Sequence, residues 1–141
     1  GRIAADTGVA KESVILDAGT GSGGACCYFA HLCKHVHTFD LEVEHIEISK
    51  ENAKFLGIEN ISFNKIDVCK EGFKGVVDNG VDLVFLDLLD PWLCLKESHR
   101  VLKRGGFLVF YNTQITQVIS LRKEFDILNS EKDHFVDFKT L

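Results

Sequence analysis

Val14-Ile15-Leu16-Asp17-Ala18-Gly19-Thr20-Gly21-Ser22-Gly23-Gly24 is the stretch that decides the fold. An apolar run ends in an acid, passes into alternating glycines and opens a helical segment near Ala25. Glycines at alternate positions let the backbone turn with positive φ and leave no Cβ to block a ligand. The helix that follows points its free N–H groups and positive dipole end at the same place. A strand, a glycine turn and a helix N-terminus together make a nucleotide-type cofactor site.

Outward from this stretch, short apolar runs alternate with helical segments, the pattern of βαβ units and a doubly wound, Rossmann-like, mostly parallel α/β sheet. Strands are predicted near Val14–Asp17, Val36–Asp40, Ile61–Ile66, Asp82–Asp87, Gly106–Tyr111 and Phe135–Leu141. Helices are predicted near Gly24–Lys34, Val43–Leu56, Leu93–Lys103 and Ile115–Phe125. Ile46, Ser49, Ala53 and Leu56 share one face of a 3.6-residue period, and Gly57 is placed to end that helix. Gly105-Gly106 reads as a helix end, Lys70–Gly80 as a loop or short frayed helix, and Gly1–Ser13 as a helix end with a connector.

The chain has 141 residues, enough for one domain with a real core. No apolar run approaches the roughly 20 residues that span a bilayer, so no membrane association is expected. Five cysteines without C-x-x-C spacing suggest neither a disulfide framework nor a zinc knuckle; buried, reduced thiols in a cytoplasmic protein are the expectation. Cys27, His31 and His35 could share a helix face, but no carboxylate completes a metal site, and no metal is expected. A net charge of −5 argues against a non-specific grip on nucleic acid by this domain alone. Without a methionine, Gly1 reads as following a processed start or a cut in a longer protein, and residues 1–141 are expected to be a catalytic-domain fragment.

Gly19, Gly21 and Gly24 satisfy the dinucleotide pattern G-x-G-x-x-G, while Asp17, Gly19, Gly21 and Gly23 equally satisfy D-x-G-x-G-x-G. The acid decides between them. A carboxylate beside the turn repels a pyrophosphate and attracts the sulfonium and ammonium of S-adenosylmethionine (SAM). Asp40 ends the second strand and is placed to accept hydrogen bonds from ribose hydroxyls, a role compatible with capping the next helix. Asp67 ends the third strand, where it could hold the exocyclic amine of the cofactor's adenine or serve as a turn residue. The fourth strand delivers Asp87-Leu88-Leu89-Asp90-Pro91-Trp92 to the same edge. A carboxylate on a proline-stiffened turn can orient an amine-bearing base, and Trp92 could stack on a base or pack in the core.

D-A-G-T-G-S-G, followed by D-L-x-x-P-W, G-G-F-L-V-F-Y and Q-V, resembles the tRNA adenine-N1 methyltransferases over Val14 to Val118, about three quarters of the chain. The glycine turn is common to many methyltransferases; Asp87-Leu88-x-x-Pro91-Trp92 with Tyr111 and Gln117-Val118 is far more specific. The resemblance implies the class I methyltransferase fold, SAM as cofactor and a tRNA adenine as substrate. It gives Asp87 the catalytic aspartate position and Tyr111 that of an active-site tyrosine, with Gln117 in the segment that follows. It also implies a homo-oligomer and an N-terminal β-rich domain that helps hold tRNA. Thr113 stands where the family usually has proline, and Gly24-Ala25-Cys26 replaces the usual small-Leu-Thr. Weighed beside this are a methyltransferase for a small molecule or protein amine, an NAD-binding module and a non-catalytic assembly subunit. Lys96, Arg100, Lys103 and Arg104 make a basic strip that a solvated helix face explains without RNA.

Overall fold

A computed structural model of the chain describes residues 2–111 and 114–131. Helix α1 (Arg2–Thr7) precedes strand β1 (Val14–Ala18), and α2 (Gly24–Ala30), β2 (His35–Asp40), α3 (Val43–Phe55) and β3 (Ile61–Lys65) follow. After the four-residue α4 (Val68–Glu71) come β4 (Val81–Leu86), a 3-10 turn (Pro91–Cys94), α5 (Leu95–Val101), β5 (Leu102–Phe110) and α6 (Ile115–Glu131). The strands form one parallel sheet in the order β3-β2-β1-β4-β5. The order reverses between β1 and β4, which opens a crevice at their carboxyl ends.

Both faces of the sheet are covered, so β1 and β4 are mostly apolar, with Asp17 the buried acid among them. Successive residues of β1 serve opposite faces. Leu16 and Ala18 pack with Phe39, Phe73, Val84 and Leu86 on one side. Ile15 packs with Cys26, Phe29, Val36, Ala53 and Leu83 on the other. Asp17 shares the face of Ile15 by the same alternation.

Four strands lie within one residue of their expected bounds, and α3 buries Ile46, Ser49 and Ala53 as its period predicts. Leu56 departs from that face: it caps the helix and is half-exposed, while Gly57 follows at φ 69°. Helix α2 stops at Ala30 rather than Lys34. There Asn60, from across the fold, donates its amide to the carbonyls of Ala30 and Cys33 at 2.9 and 3.2 Å. The helix expected at Leu93–Lys103 divides into the 3-10 turn and α5. Gly105-Gly106 lies inside β5, not at a helix end. The register slips there, from Val81 opposite Leu102 to Leu83 opposite Phe107, and Gly105 takes φ 81° to absorb the extra residues. Helix α6 continues past Phe125 to Glu131. The strand expected at Phe135–Leu141 lies outside the described residues.

Candidate active site

All five strands deliver a sequence-predicted residue to the same edge of the sheet. In spatial order these are Asp67 after β3, Asp40 ending β2, the Gly19–Gly23 turn after β1, Asp87 after β4 and Tyr111 after β5. Parallel pairing does this: Asp17 lies opposite both Thr38 and Phe85, and Leu86 opposite Phe110.

The glycine turn is tied to the strands on both sides. Thr20 N–H donates to Phe39 O at 3.0 Å, and Gly19 N–H to Asp87 O at 3.3 Å. Gly21 and Gly23 take φ 54° and 91°, values a side chain rarely adopts. A Cβ on Gly23 would strike Ser49 of α3, and one on Gly19 would lie 3.3 Å from Asp40 Oδ2. The close approach of α3 and of Asp40 to this backbone therefore depends on glycine.

Asp40 reaches back over the turn. Its Oδ2 accepts from Gly21 N–H at 3.0 Å, and its Oδ1 from Glu42 N–H at 2.8 Å at the start of α3. His45, one helical turn into α3, places Nδ1 3.2 Å from both carboxylate oxygens. Asp40 thus stands at the strand end expected for it, and it does not cap α3: Glu42 is the N-cap residue, and Asp40 holds only the N–H of Glu42. Asp67 caps α4, accepting from Cys69 N–H at 3.2 Å, and its side chain remains a quarter exposed.

Asp17 differs from the others. It is wholly buried beneath the turn, so it does not touch the open face where a direct contact with cofactor was expected. Thr38 donates its hydroxyl to Asp17 Oδ2 at 2.7 Å, and the Thr20 hydroxyl lies 2.8 Å from that of Thr38. Asp17 Oδ1 has no partner. Burial pushes the carboxyl up to about 7, against the bond from Thr38, and the charges of Asp87 and Asp40 add to the rise. The threonine pair was missed from sequence: Thr38 becomes visible only once β2 is laid beside β1 in register.

Asp87 is exposed, and its backbone pairs with Ala18 and Gly19, which locks the loop after β4 to the glycine turn. Tyr111 N–H donates to Leu86 O at 2.9 Å, and its side chain is exposed beside that loop. Trp92 packs against the cluster of Leu95, Leu121 and Leu128, the core placement weighed for it. The amide of Gln117 in α6 donates to Leu89 O at 3.0 Å, a contact the sequence did not reveal.

The remaining sequence candidates disperse. Cys27 and His31 line a hollow of about 410 Å³ between α2 and α3, whereas His35 bonds Ser62 on the neighbouring strand. Among the described residues no three His, Cys, Asp or Glu converge on a metal position. In the basic strip, Arg100 is committed to Glu97 and Asp78, and Lys103 to Asp82. The five cysteines are unpaired, four of them buried, and burial pushes the Cys26 thiol up to about 12. No described helix is long and apolar enough to cross a membrane.

Three carboxylates around a glycine cradle, with a fourth beneath it, suit a ligand that carries positive charge and vicinal hydroxyls. The chain is 32% identical to the tRNA (adenine(58)-N(1))-methyltransferase TrmI of Thermus thermophilus over 113 residues, which are 76% of this chain and 42% of that protein. It is 35% identical over 108 residues to a sarcosine/dimethylglycine N-methyltransferase of Halorhodospira halochloris, 70% of this chain and 37% of that one. The crystal structure of tRNA (m1A58) methyltransferase TrmI from Aquifex aeolicus superposes with a TM-score of 0.81 at 26% identity, over 89% of this chain and 50% of that chain. The chain therefore has the class I methyltransferase fold and spans about two fifths of the length of these two curated relatives. A family profile described as tRNA methyltransferase complex GCD14 subunit matches residues 2–141, and the chain belongs to that family.

Proposed function

We propose that the protein methylates N1 of an adenine in tRNA with SAM as methyl donor, and that residues 1–141 form its SAM-binding methyltransferase domain. The observation that carries this reading is the placement of Asp87. It is an exposed carboxylate whose backbone is bonded to the cofactor turn, with Tyr111 beside it at the end of the neighbouring strand. Relatives named for both tRNA adenine and a small amine are similar in sequence to this chain, and we assign acceptor choice to this loop.

SAM supplies, when bound, a methyl group on a positively charged sulfur. Asp40 accepts from the ribose hydroxyls with the lone pairs that Gly21 and Glu42 leave free. Asp67 accepts from the exocyclic amine of the cofactor's adenine. Asp17 acts through the turn, fixed beneath the glycines by the bond from Thr38, rather than by contact. Asp87 accepts from the exocyclic amine of the target base and holds N1 in line with the methyl carbon. With SAM bound, transfer at N1 would form the N–C bond as the C–S bond breaks and leaves its electron pair on sulfur. The methylated base gains positive charge, which the Asp87 carboxylate stabilises. Tyr111 lines the base side of the site, and positioning supplies most of the rate effect.

The net charge of −5 gives this domain little hold on RNA, so the tRNA grip is assigned to further parts of the protein and to like subunits of an oligomer. A cytoplasmic setting suits its unpaired cysteines. The test is incubation of the full-length protein with SAM and unmodified tRNA, followed by nucleoside analysis. 1-Methyladenosine from wild type and none from Asp87→Ala is the expected result. Methylation that survives Asp87→Ala would overturn the assignment.

A further inference from the structure

In the loop that carries Asp87, Leu88 packs against the core, whereas Asp87, Leu89 and Asp90 are exposed, and Leu89 keeps 82% of its surface. The order of its exposed part rests on where its backbone carbonyls find donors. Asp87 O accepts from Gly19 N–H, and Asp90 O from Leu93 N–H at 3.1 Å. The two carbonyls between them meet the side chain of Gln117. Its Nε2 donates to Leu89 O at 3.0 Å and lies 3.5 Å from Leu88 O. Because both partners are carbonyls, the amide orientation is fixed with nitrogen toward the loop. Among the described residues, Gln117 Oε1 is left enclosed with no partner. A glutamine serving only the first turn of α6 would keep its amide in water. An acceptor buried unpaired is tolerated where the other end of the side chain has a task.

We propose that Gln117 is a positioning residue for methyl transfer: its amide ties the start of α6 to Leu88-Leu89 and holds Asp87 at the distance the target base requires. This rests on the function proposed above. Asp87 is then fixed from both sides, through Gly19 to the cofactor turn and through Gln117 to α6. A displacement of about 1 Å at such a group costs up to a hundredfold in rate.

Two substitutions separate this role from a structural one. Gln117→Ala removes the tether. Gln117→Glu keeps the size of the side chain and puts an acidic residue in the first turn of α6, where the helix dipole favours it, but offers no donor to the loop carbonyls. Both are assayed in the full-length protein for SAM affinity, melting temperature, and kcat and KM with tRNA. The expected result for both is a tenfold or greater loss of kcat, with SAM affinity within twofold of wild type. For Gln117→Glu the melting temperature is expected to be unchanged. A Gln117→Glu protein with wild-type kcat overturns the proposal, as does a loss of kcat that appears only where the melting temperature also falls. Wild-type transfer to a tRNA atom other than an adenine ring nitrogen would overturn the proposed function while leaving the tether testable on that reaction. No transfer by wild type overturns both.

Discussion

Replacing Asp17 with asparagine should change how stability depends on pH more than it changes stability at any one pH. Asp17 is completely buried, and its carboxyl titrates near 7 rather than at the ordinary 3.8. In the unfolded chain it ionises near 3.8. Between these values the folded protein holds a proton that the unfolded chain has released, so stability falls as pH rises. The contribution is fully present below about 3.8, is lost progressively up to about 7, and is flat above that. A separation of about 3 pH units corresponds to about 4 kcal/mol at 1.36 kcal/mol per unit. Asparagine cannot ionise, although it can still accept from Thr38. Its Nδ2 takes the place of the unpartnered Oδ1, a pH-independent cost of about 1–3 kcal/mol. The informative quantity is therefore the difference between the two proteins, read at pH 4 and again at pH 8 by urea denaturation. The variant should gain about 4 kcal/mol relative to wild type across that interval. Other groups, such as His37, whose burial favours the neutral ring, cancel in the comparison. Parallel stability curves, within about 1 kcal/mol from pH 4 to 8, would refute the claim that Asp17 is buried as a protonatable acid.

Gly23→Ala must place a Cβ at φ 91° against Ser49, whose Cα lies 3.2 Å from the ideal position. It should cost about 1–3 kcal/mol by thermal or urea unfolding, and SAM binding measured by calorimetry should weaken at least tenfold. A variant with wild-type stability would show that α3 does not press on this turn. Arg100→Met removes the donors to Phe73 O and Val76 O and the pairs with Glu97 and Asp78. The expected loss is about 1–3 kcal/mol, because the Val76 carbonyl loses its donor while Phe73 O keeps the bond from Val76 N–H. A loss under about 0.5 kcal/mol in urea unfolding would contradict that. The bond from Arg100 holds the Glu97 carboxyl below its usual range, so this contribution should weaken as pH falls through the acid range below 4.5.

Much of the site was legible because parallel α/β sheets put chemistry at strand ends, and strand ends are marked in the sequence by acids after apolar runs. Asp17, Asp40, Asp67 and Asp87 could each be placed that way. What periodicity could not supply was the direction a side chain faces once strands pair. Asp17 turns inward because Thr38, 21 residues away in the chain, comes to lie opposite it and offers a hydroxyl. The early end of α2 has a similar origin in Asn60, 30 residues from Ala30. Gly105-Gly106 looked like a helix terminus because glycine signals an unusual backbone without saying which kind. The bulge in β5 follows from its pairing with β4, which no local window contains. The Gln117 amide was invisible for the same reason, since its partners are backbone carbonyls 28 and 29 residues earlier.

The central claim is that the Gly19–Gly23 turn and the acids around it form a site for SAM rather than for a dinucleotide. Calorimetric titration of the protein with SAM, with NAD as the comparison ligand and Asp40→Ala as the control, tests it most directly. The expected result is saturable SAM binding that Asp40→Ala abolishes, and no heat from NAD. Saturable NAD binding, or SAM binding indifferent to Asp40→Ala, would contradict it.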